Sequence, residues 1–365
     1  MRSSMWRMRW RRSPSRNRDE NAGGRRATPQ GHRMSETALA VIIILIALGF
    51  DYTNGFHDSA NAIATTVSTR ALSPRVALAM AAVMNVLGAL ISTKVAATVG
   101  SGIIESPAGR DGLRIVLAAL LGAVLWNLGT WWLGLPSSSS HALIGGLIGG
   151  ALAGAKGVKW TAVLEKVVLP MVISPLSGIV LGYLFMIAIL WTFRRANFRR
   201  AQRGFHSAQI ISAAAMAFAH GTQDAQKTMG VIALTLVVSG HLSPSEGIPL
   251  WVILAAAAAI SAGTYSGGWR IMRTIGRRIY ALTPVSGFAA QTVASGVLLG
   301  ASQLGLPIST THVISGSIMG VGATRRLSAV RWGVVGNIVG AWVLTIPASA
   351  ASAALIYFLL RPIGL

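Results

Sequence analysis

The chain has 365 residues, of which 53% are hydrophobic, 12% are charged and 41 are glycine, and it contains no cysteine. Soluble domains average about a quarter charged residues, so this composition excludes an ordinary soluble protein and indicates a membrane protein. The absence of cysteine excludes disulfides, thiolate metal sites and a cysteine nucleophile.

The formal charge of +22 is concentrated at the start of the chain, where ten of the 32 Lys and Arg residues are arginines that precede Met34. This segment, residues 1–33, is polar and has no helical periodicity, which predicts a basic disordered tail. It also lacks the apolar core of a signal peptide. We interpret it as an upstream extension that is not translated, with synthesis starting at Met34. A nucleic-acid-binding tail is the weaker alternative, and no nucleic-acid partner is expected.

Hydrophobic blocks follow the tail, five in each half of the chain. The blocks of the first half are 37–69, 75–99, 113–133, 136–155 and 161–193. Those of the second half are 207–239, 248–268, 284–304, 307–323 and 329–360. About 20 apolar residues cross a hydrocarbon core as a helix. We therefore predict an all-α, multi-pass membrane protein, with one membrane unit over 34–193, a basic cytoplasmic loop over 194–206 and a second unit over 207–365.

The lengths of some blocks predict irregular helices. As one helix, block 37–69 would measure about 50 Å, so we expect it to be tilted or broken, with the break near Gly49 and Gly55. Blocks 136–155 and 307–323 begin with proline and hydroxyl residues and are rich in glycine. They are predicted to be half-helices or re-entrant hairpins, which membranes tolerate only where the backbone faces protein or water.

Two motifs occur twice in the chain. LGLPSSSSHALIGGLIGG at 133–150 returns 171 residues later as LGLPISTTHVISGSIMGV at 304–321, and NGFHDSANA at 54–62 returns 166 residues later as HGTQDAQKT at 220–228. The order of the motifs is the same in both halves, which indicates a duplication. Because each unit has an odd number of blocks, the second unit should be inverted in the membrane.

The arginines allow a test of this orientation. If Met34 lies outside, the inside loops hold 14 basic residues and the outside loops hold six. Cytoplasmic loops carry the excess of Lys and Arg, so the inverted arrangement with Met34 outside is favoured.

Ionisable residues at membrane depth are predicted functional sites, and most of them fall in the two motifs. On a helix, Asn54, Asp58 and Asn61 share one face, with His57 beside it. The aligned residues of the second copy are His220, Asp224 and Lys227, with Gln223 beside them. The pattern predicts two polar stripes that meet near the midplane. The alternative is that these groups only bond neighbouring helices.

The second motif predicts an anion site. In PSSSSH and PISTTH, a proline and a run of hydroxyls precede a glycine-rich helix, so free N–H groups, a positive helix end and O–H donors come together. Simple N-capping by Ser139 or Thr310 is the alternative, although capping needs only one hydroxyl. An anion between two aspartates is repelled, so its binding requires a cation or proton. Together with inverted repeats, this indicates a secondary transporter that works by symport.

At these motifs the chain resembles the PiT family of inorganic phosphate transporters, from about residue 38 to residue 360. The resemblance implies that phosphate is the substrate, that a coupling cation drives its import, and that the protein lies in the bacterial inner membrane. Family positions for ion and phosphate binding match Asp58, Asn61 and Asp224. The family's hydroxyl-rich phosphate contacts match Ser138, Ser139, Ser140, Ser309, Thr310 and Thr311.

Two differences from the family pattern bear on the identity of the coupling ion. His57 and Gln223 stand where many members have asparagine, and NGFHDSANA is similar to the bacterial low-affinity Pit branch, which is associated with protons and divalent metal-phosphate complexes. We therefore assign none of the family's sodium ligands to residues of this chain, and we assign no metal ligands. The candidates for the coupling ion or proton are Asp58, Asn61, Asp224, Gln223, His57 and Asn54.

Other functions fit the sequence less well. SSSSH could suggest a serine hydrolase, but adjacent residues on a helix do not form a nucleophile-base pair and no G-x-S-x-G elbow occurs. We therefore predict no catalytic residues, no enzyme and no cofactor beyond a co-transported proton, sodium ion or divalent metal. A symporter of another oxyanion, such as sulfate, remains the alternative. The expected partners are phosphate, the coupling ion and membrane lipid, and a homodimer is left open.

Overall fold

The computed structural model describes residues 34–105 and 108–363, so the predicted tail at 1–33 lies outside the described residues. The helices of the first half are α1 (Glu36–Ser68), α2 (Pro74–Ala89), α3 (Lys94–Ser101), α4 (Gly109–Leu133), α5 (Ser139–Ala153), α6 (Trp160–Val163) and α7 (Leu169–Thr192). Those of the second half are α8 (Phe198–Val238), α9 (Leu250–Ser266), α10 (Trp269–Arg273), α11 (Pro284–Gln303), α12 (Thr310–Ala323) and α13 (Trp332–Leu360). In the described ranges, one isolated β-bridge between Ile104 and Val158 accompanies the helices, so the predicted all-α fold is confirmed.

Several helices are suited to a lipid environment. By length and composition, five helical stretches could cross a membrane, and two bent helix pairs would raise that number to seven. Their outer faces carry large apolar side chains: Leu184 on α7 is 56% exposed and Leu355 on α13 is 62% exposed. A soluble monomer rarely exposes such continuous apolar surface. These observations describe a multi-pass membrane protein.

The breaks in the helices differ from the predicted ones. α1 is a single 33-residue helix that runs through Gly49 and Gly55, so the break predicted there is wrong. His57, Asp58 and Asn61 near its centre reach the side chains of other segments from an intact helix. Broken helices do occur elsewhere: α2 meets α3 at a bend of 76° and α9 meets α10 at 60°. The second bend contains Gly267, which adopts a positive φ of 77°.

The predicted half-helices are present as α5 and α12. They have 15 and 14 residues, respectively. At 1.5 Å per residue each is about 22 Å long, which is shorter than the ~30 Å hydrocarbon core.

The basic segment between the halves is shorter than predicted. α8 begins at Phe198, so the prediction of a loop over 194–206 is wrong for residues 198–206. Asn197 is the N-cap: its side-chain oxygen accepts hydrogen bonds from the backbone N–H groups of Arg199 (3.1 Å) and Arg200 (3.3 Å). An asparagine before a helical segment is a recognised start signal, and the high charge of the segment obscured it.

The first long helix of each half packs closely on the other half. α1 contacts α9 and α8 contacts α2. A Cβ on Gly55 of α1 would lie 2.3 Å from the carbonyl oxygen of Ile260, and a Cβ on Gly221 of α8 would lie 2.2 Å from that of Asn85. These glycines occupy equivalent positions in the repeated motif. Only glycine permits such backbone contact, and the contact fixes where the neighbouring aspartates lie.

The short helices are exchanged between the halves as well. α5 packs against α4 and α13, whereas α12 packs against α11 and α7. Each short helix therefore rests on the last helix of the other half. The indole of Trp342 on α13 donates a hydrogen bond of 3.0 Å to the carbonyl oxygen of Pro136, which anchors the hydroxyl-rich segment before α5.

Candidate functional site

Both hydroxyl-rich segments start a helix. The hydroxyl of Ser138 accepts a hydrogen bond from the backbone N–H of His141 (3.2 Å), and that of Ser309 accepts one from the N–H of His312 (3.3 Å). Capping therefore uses Ser138 and Ser309, one residue earlier than the capping alternative from sequence. The hydroxyls of the next two residues in each segment are left to face the centre of the protein. The remaining N–H groups of each first turn lack acceptors within their own helix.

Asp58 lies where α1 meets these segments and is 1% exposed. One of its carboxylate oxygens, Oδ2, accepts a hydrogen bond from the Ser139 hydroxyl at 3.2 Å. The other, Oδ1, lies 2.6 Å from Nδ1 of His57 and accepts a long hydrogen bond of 3.4 Å from the Thr311 hydroxyl. The first aspartate thus contacts hydroxyl groups from both halves of the chain.

Asp224 occupies the equivalent position on α8 and is also buried. Its Oδ2 accepts a hydrogen bond of 3.2 Å from the Thr310 hydroxyl and lies 3.1 Å from Nε2 of His220. Its Oδ1 forms an ion pair with Lys227, one turn further along the helix. The second aspartate therefore has its own cation.

The residue three positions after each aspartate crosses to the other half. The Asn61 amide donates to the hydroxyls of Thr310 (3.1 Å) and Thr311 (2.8 Å). The Lys227 ammonium donates to the hydroxyl of Ser140 and to the carbonyl oxygen of Ile308, the latter at 3.2 Å. The two polar stripes predicted from the repeat are thus joined at one site, through the hydroxyl segments.

Each imidazole links its aspartate to a further polar group. Nε2 of His57 lies 3.3 Å from the Thr130 hydroxyl and 3.4 Å from the Ser137 hydroxyl. Nδ1 of His220 lies 3.0 Å from Oδ1 of Asn85. These outer groups fix the orientation of the two rings.

The centre of the site combines two carboxylates and an imidazole. One ligand atom from each of Asp58, His220 and Asp224 lies within 4.8 Å of the others, which is close enough to share a metal ion. With neutral imidazoles, the carboxylates and Lys227 sum to a charge of −1. Carboxylate and imidazole ligands suit a divalent metal, and the same groups could hold a proton or a monovalent cation.

Two predicted candidates lie apart from these contacts. The Gln223 amide donates to the carbonyl oxygens of Leu298 (3.2 Å) and Leu306 (3.3 Å), so it supports the chain before α12. Asn54 is buried one turn before Asp58, and neither atom of its amide forms a hydrogen bond with the described residues. The structure thus brings Asp58, Asn61, Asp224, His57 and four of the six predicted hydroxyls into direct contact.

Several residues of the site were not among the predicted candidates: His220, Lys227, Asn85, Thr130 and Ser137. The alignment of the two motifs placed His220 and Lys227 on the second stripe, and that signal could have named both. Ser137 belongs to the same serine run as the predicted hydroxyls. Asn85 and Thr130 stand alone in apolar helices, where only the three-dimensional packing reveals their partners.

Comparison with known proteins gives a consistent result. The phosphate transporter family matches residues 54–353. A Rhizobium meliloti protein described as a probable low-affinity inorganic phosphate transporter is 47% identical over 323 residues, covering 88% of this chain and 96% of that protein. A Bacillus subtilis protein with the same description is 42% identical over 327 residues, covering 89% of this chain and 98% of that protein. A solved structure, "The sodium-dependent phosphate transporter", superposes with a TM-score of 0.81 at 28% identity and covers 89% of this chain and 100% of that one.

The matched proteins are transporters, so the prediction that the chain is not an enzyme is confirmed. Its membrane-spanning apolar helices agree with a multi-pass location in the cell membrane. The resemblance first seen in the two duplicated motifs extends over most of the sequence. The chain belongs to the phosphate transporter family.

Proposed function

We propose that this protein imports inorganic phosphate by symport with a proton or cation. The observation that carries the proposal is the meeting of Asp58 and Asp224 in one buried site beside the hydroxyls of both half-helices. The descriptions of the relatives as inorganic phosphate transporters support the choice of substrate. The hydroxyls of Ser139, Ser140, Thr310 and Thr311 would hold phosphate, helped by the helix N-termini of α5 and α12.

The charge of the site explains why the transport should be coupled. Two like charges about 4 Å apart repel by about 4 kcal/mol at an effective dielectric of 20. A phosphate anion that enters a site of charge −1 therefore needs a positive partner. A proton or cation near Asp58 and Asp224 removes this repulsion, so binding of the ion and binding of phosphate favour each other.

The hydroxyl contacts make the coupling stricter. Ser139 and Thr311 donate to Asp58, and Thr310 donates to Asp224. Phosphate oxygens must compete with the carboxylates for these same O–H groups. A buried acceptor that loses its donor costs about 1–3 kcal/mol, and more when it is charged. A cation that replaces the lost donors offsets this cost, whereas phosphate alone does not.

The contacts of His220 favour an additional positive charge at Asp224. The Asn85 amide nitrogen donates a hydrogen bond of 2.7 Å to the Thr264 hydroxyl, which itself donates to the Gly55 carbonyl oxygen. Oδ1 of Asn85 is therefore the atom that accepts a hydrogen bond from Nδ1 of His220. Nε2 of a neutral His220 then presents a lone pair to Asp224. A proton or a metal ion between these atoms resolves the contact. With Asp58 as a third ligand, a divalent metal would enter together with phosphate as one complex.

Alternating access follows from the two halves. We propose that the halves are inverted repeats and that their relative movement opens the buried site to either side. Contacts between distant residues support this topology. On the side predicted to be outside, Thr37 lies 3.4 Å from His241 and the Arg110 guanidinium donates to the Met34 carbonyl. On the opposite side, His206 lies 3.2 Å from the Arg70 carbonyl oxygen.

Uptake by the purified protein in liposomes tests the proposed function. Radiolabelled phosphate should accumulate under an inward proton gradient or an inward gradient of sodium or magnesium, and Asp58→Asn and Asp224→Asn should each lower the rate at least 100-fold. Asp111→Asn, at an exposed carboxylate paired with Arg114, is the matched control and should leave uptake unchanged. Uptake that persists in both variants would contradict the proposal. Equal inhibition by sulfate and unlabelled phosphate would instead support the other-oxyanion alternative.

A further inference from the structure

A second acidic group lies in α1, and the proposed phosphate site does not use it. Asp51 precedes Asp58 by seven residues and is 0% exposed. Neither of its carboxylate oxygens has a hydrogen bond of good geometry with a described group, and the nearest polar groups are the side chains of Asn54 and Thr228. A buried ionised carboxylate is too costly to persist without a positive partner. Asp51 therefore binds a positive charge from outside the protein, either a proton or a cation.

The side chains beside Asp51 also have unused polar atoms. Asn54 lies on the same helix and Thr228 on α8, and both are close to the Asp51 carboxylate. Both atoms of the Asn54 amide and the Thr228 hydroxyl lack hydrogen-bond partners among the described residues. All three side chains are buried. An unsatisfied polar group is uncommon in a folded protein, so three together indicate a ligand.

We propose that Asp51, Asn54 and Thr228 form a binding site for a monovalent cation, separate from the site at Asp58 and Asp224. Two carboxylate oxygens, an amide oxygen and a hydroxyl oxygen make a set of hard oxygen ligands, which suits an alkali cation such as sodium. The charged groups that face Asp51 are Asp224 and Lys227, and these two form an ion pair with each other. The charge left to neutralise is thus one unit. A divalent ion would leave an uncompensated positive charge.

This site is placed to influence phosphate binding. Asp51, Asn54 and Asp58 follow one face of α1, at spacings of three and four residues. Thr228 lies four residues, or about one turn, after Asp224 on α8. An ion that draws Asp51 and Thr228 together holds α1 against α8 and thereby orders both aspartates of the main site. This role rests on the proposed function, whereas binding of the cation does not.

Sodium binding can be measured without transport. The detergent-purified protein is heated in phosphate-free buffer with increasing sodium chloride, and choline chloride keeps the ionic strength constant. The wild-type melting temperature should rise to a plateau. Thr228→Val, which changes one hydroxyl to a methyl, should raise the half-maximal sodium concentration at least tenfold, and Asp51→Asn should abolish the shift. Thr235→Val is the matched control on the same helix, because the Thr235 hydroxyl donates to the Val231 carbonyl oxygen.

Three results would overturn the site. One is the absence of a sodium-dependent shift in the wild type. Another is a shift that survives Asp51→Asn but disappears in Asp58→Asn, which would place the sodium ion at the main site. The third is a shift that depends on pH rather than on sodium and is lost in Asp51→Asn, which would assign a proton to Asp51. In each case, wild-type phosphate uptake measured on the same preparation shows whether the proposed transport function still stands.

Discussion

The two copies of the aspartate motif place similar chemical groups around the site with different residues. Asp58 contacts the imidazole of the residue just before it, whereas Asp224 contacts the imidazole of a residue one turn earlier. Three positions after the aspartate, the first copy has the neutral Asn61 and the second has the cationic Lys227. Each aspartate keeps an imidazole, but only Asp224 has a permanent counter-charge. The two halves are therefore unequal in charge, because the first copy has no lysine beside its aspartate.

Removal of the permanent cation should have the largest effect. Lys227→Met leaves Asp224 buried without its counter-ion, and breaking such a pair costs about 3–5 kcal/mol. We expect a clear fall in melting temperature and the loss of phosphate uptake. The double variant Lys227→Met with Asp224→Asn should regain much of the stability, which a double-mutant cycle measures. A single variant as stable as the wild type would show that Lys227 does not neutralise Asp224.

The two imidazoles should respond differently to substitution. Of the two rings, only that of His220 can offer a nitrogen lone pair, on Nε2, to an ion held by Asp58 and Asp224. His220→Gln should therefore raise the magnesium concentration for half-maximal uptake at least tenfold, which is equivalent to about 1.4 kcal/mol. His57→Gln should lower the rate without changing that concentration, because His57 orients Asp58 through its contacts with Thr130 and Ser137. Equal metal dependence in both variants would remove the proposed distinction between the halves.

The close approach of the halves gives a smaller effect, on stability. A Cβ at Gly55 would overlap the Ile260 carbonyl oxygen, so Gly55→Ala should destabilise the protein by about 1–3 kcal/mol. Gly49→Ala, six residues earlier on the same helix, meets nothing within 4 Å and should be neutral or stabilising by up to about 1 kcal/mol. The melting temperatures of the two variants provide the comparison. A stable Gly55→Ala protein would contradict the close α1–α9 contact.

The membrane topology can be tested with single cysteines at exposed loop positions, which should have the smallest effect on stability. Because the chain has no cysteine, single cysteines report their own accessibility. Ser245→Cys, in the exposed loop after α8, should react with an impermeant maleimide in intact cells. Ser328→Cys, exposed near the arginines before α13, should react only after permeabilisation. The reverse pattern would mean that the halves are oriented opposite to the positive-inside prediction.

The sequence predicted the main features of the site because the motifs are duplicated. Alignment of the copies placed Asp58 and Asp224 together, and the repeated hydroxyl runs gave the helix starts of α5 and α12. It could not predict Asn85 or Thr130, since a lone polar residue in an apolar helix carries no information on its partner. It also misplaced the helix breaks. Gly55 is required for contact with α9 rather than for flexibility, and the bend between α2 and α3 occurs where the sequence has neither glycine nor proline.

The exchange of short helices between the halves has a consequence for the synthesis of the protein. α12 packs on α7, which has already been made when α12 emerges from the ribosome. α5 packs on α13, which begins at Trp332, so roughly 180 further residues must be added first. At about 5–20 residues per second, this takes on the order of 10–40 s. Throughout that time α5, a short helix with a polar N-terminus, lacks its final neighbour. The first half is therefore more exposed than the second to misfolding and to quality-control proteases during its insertion.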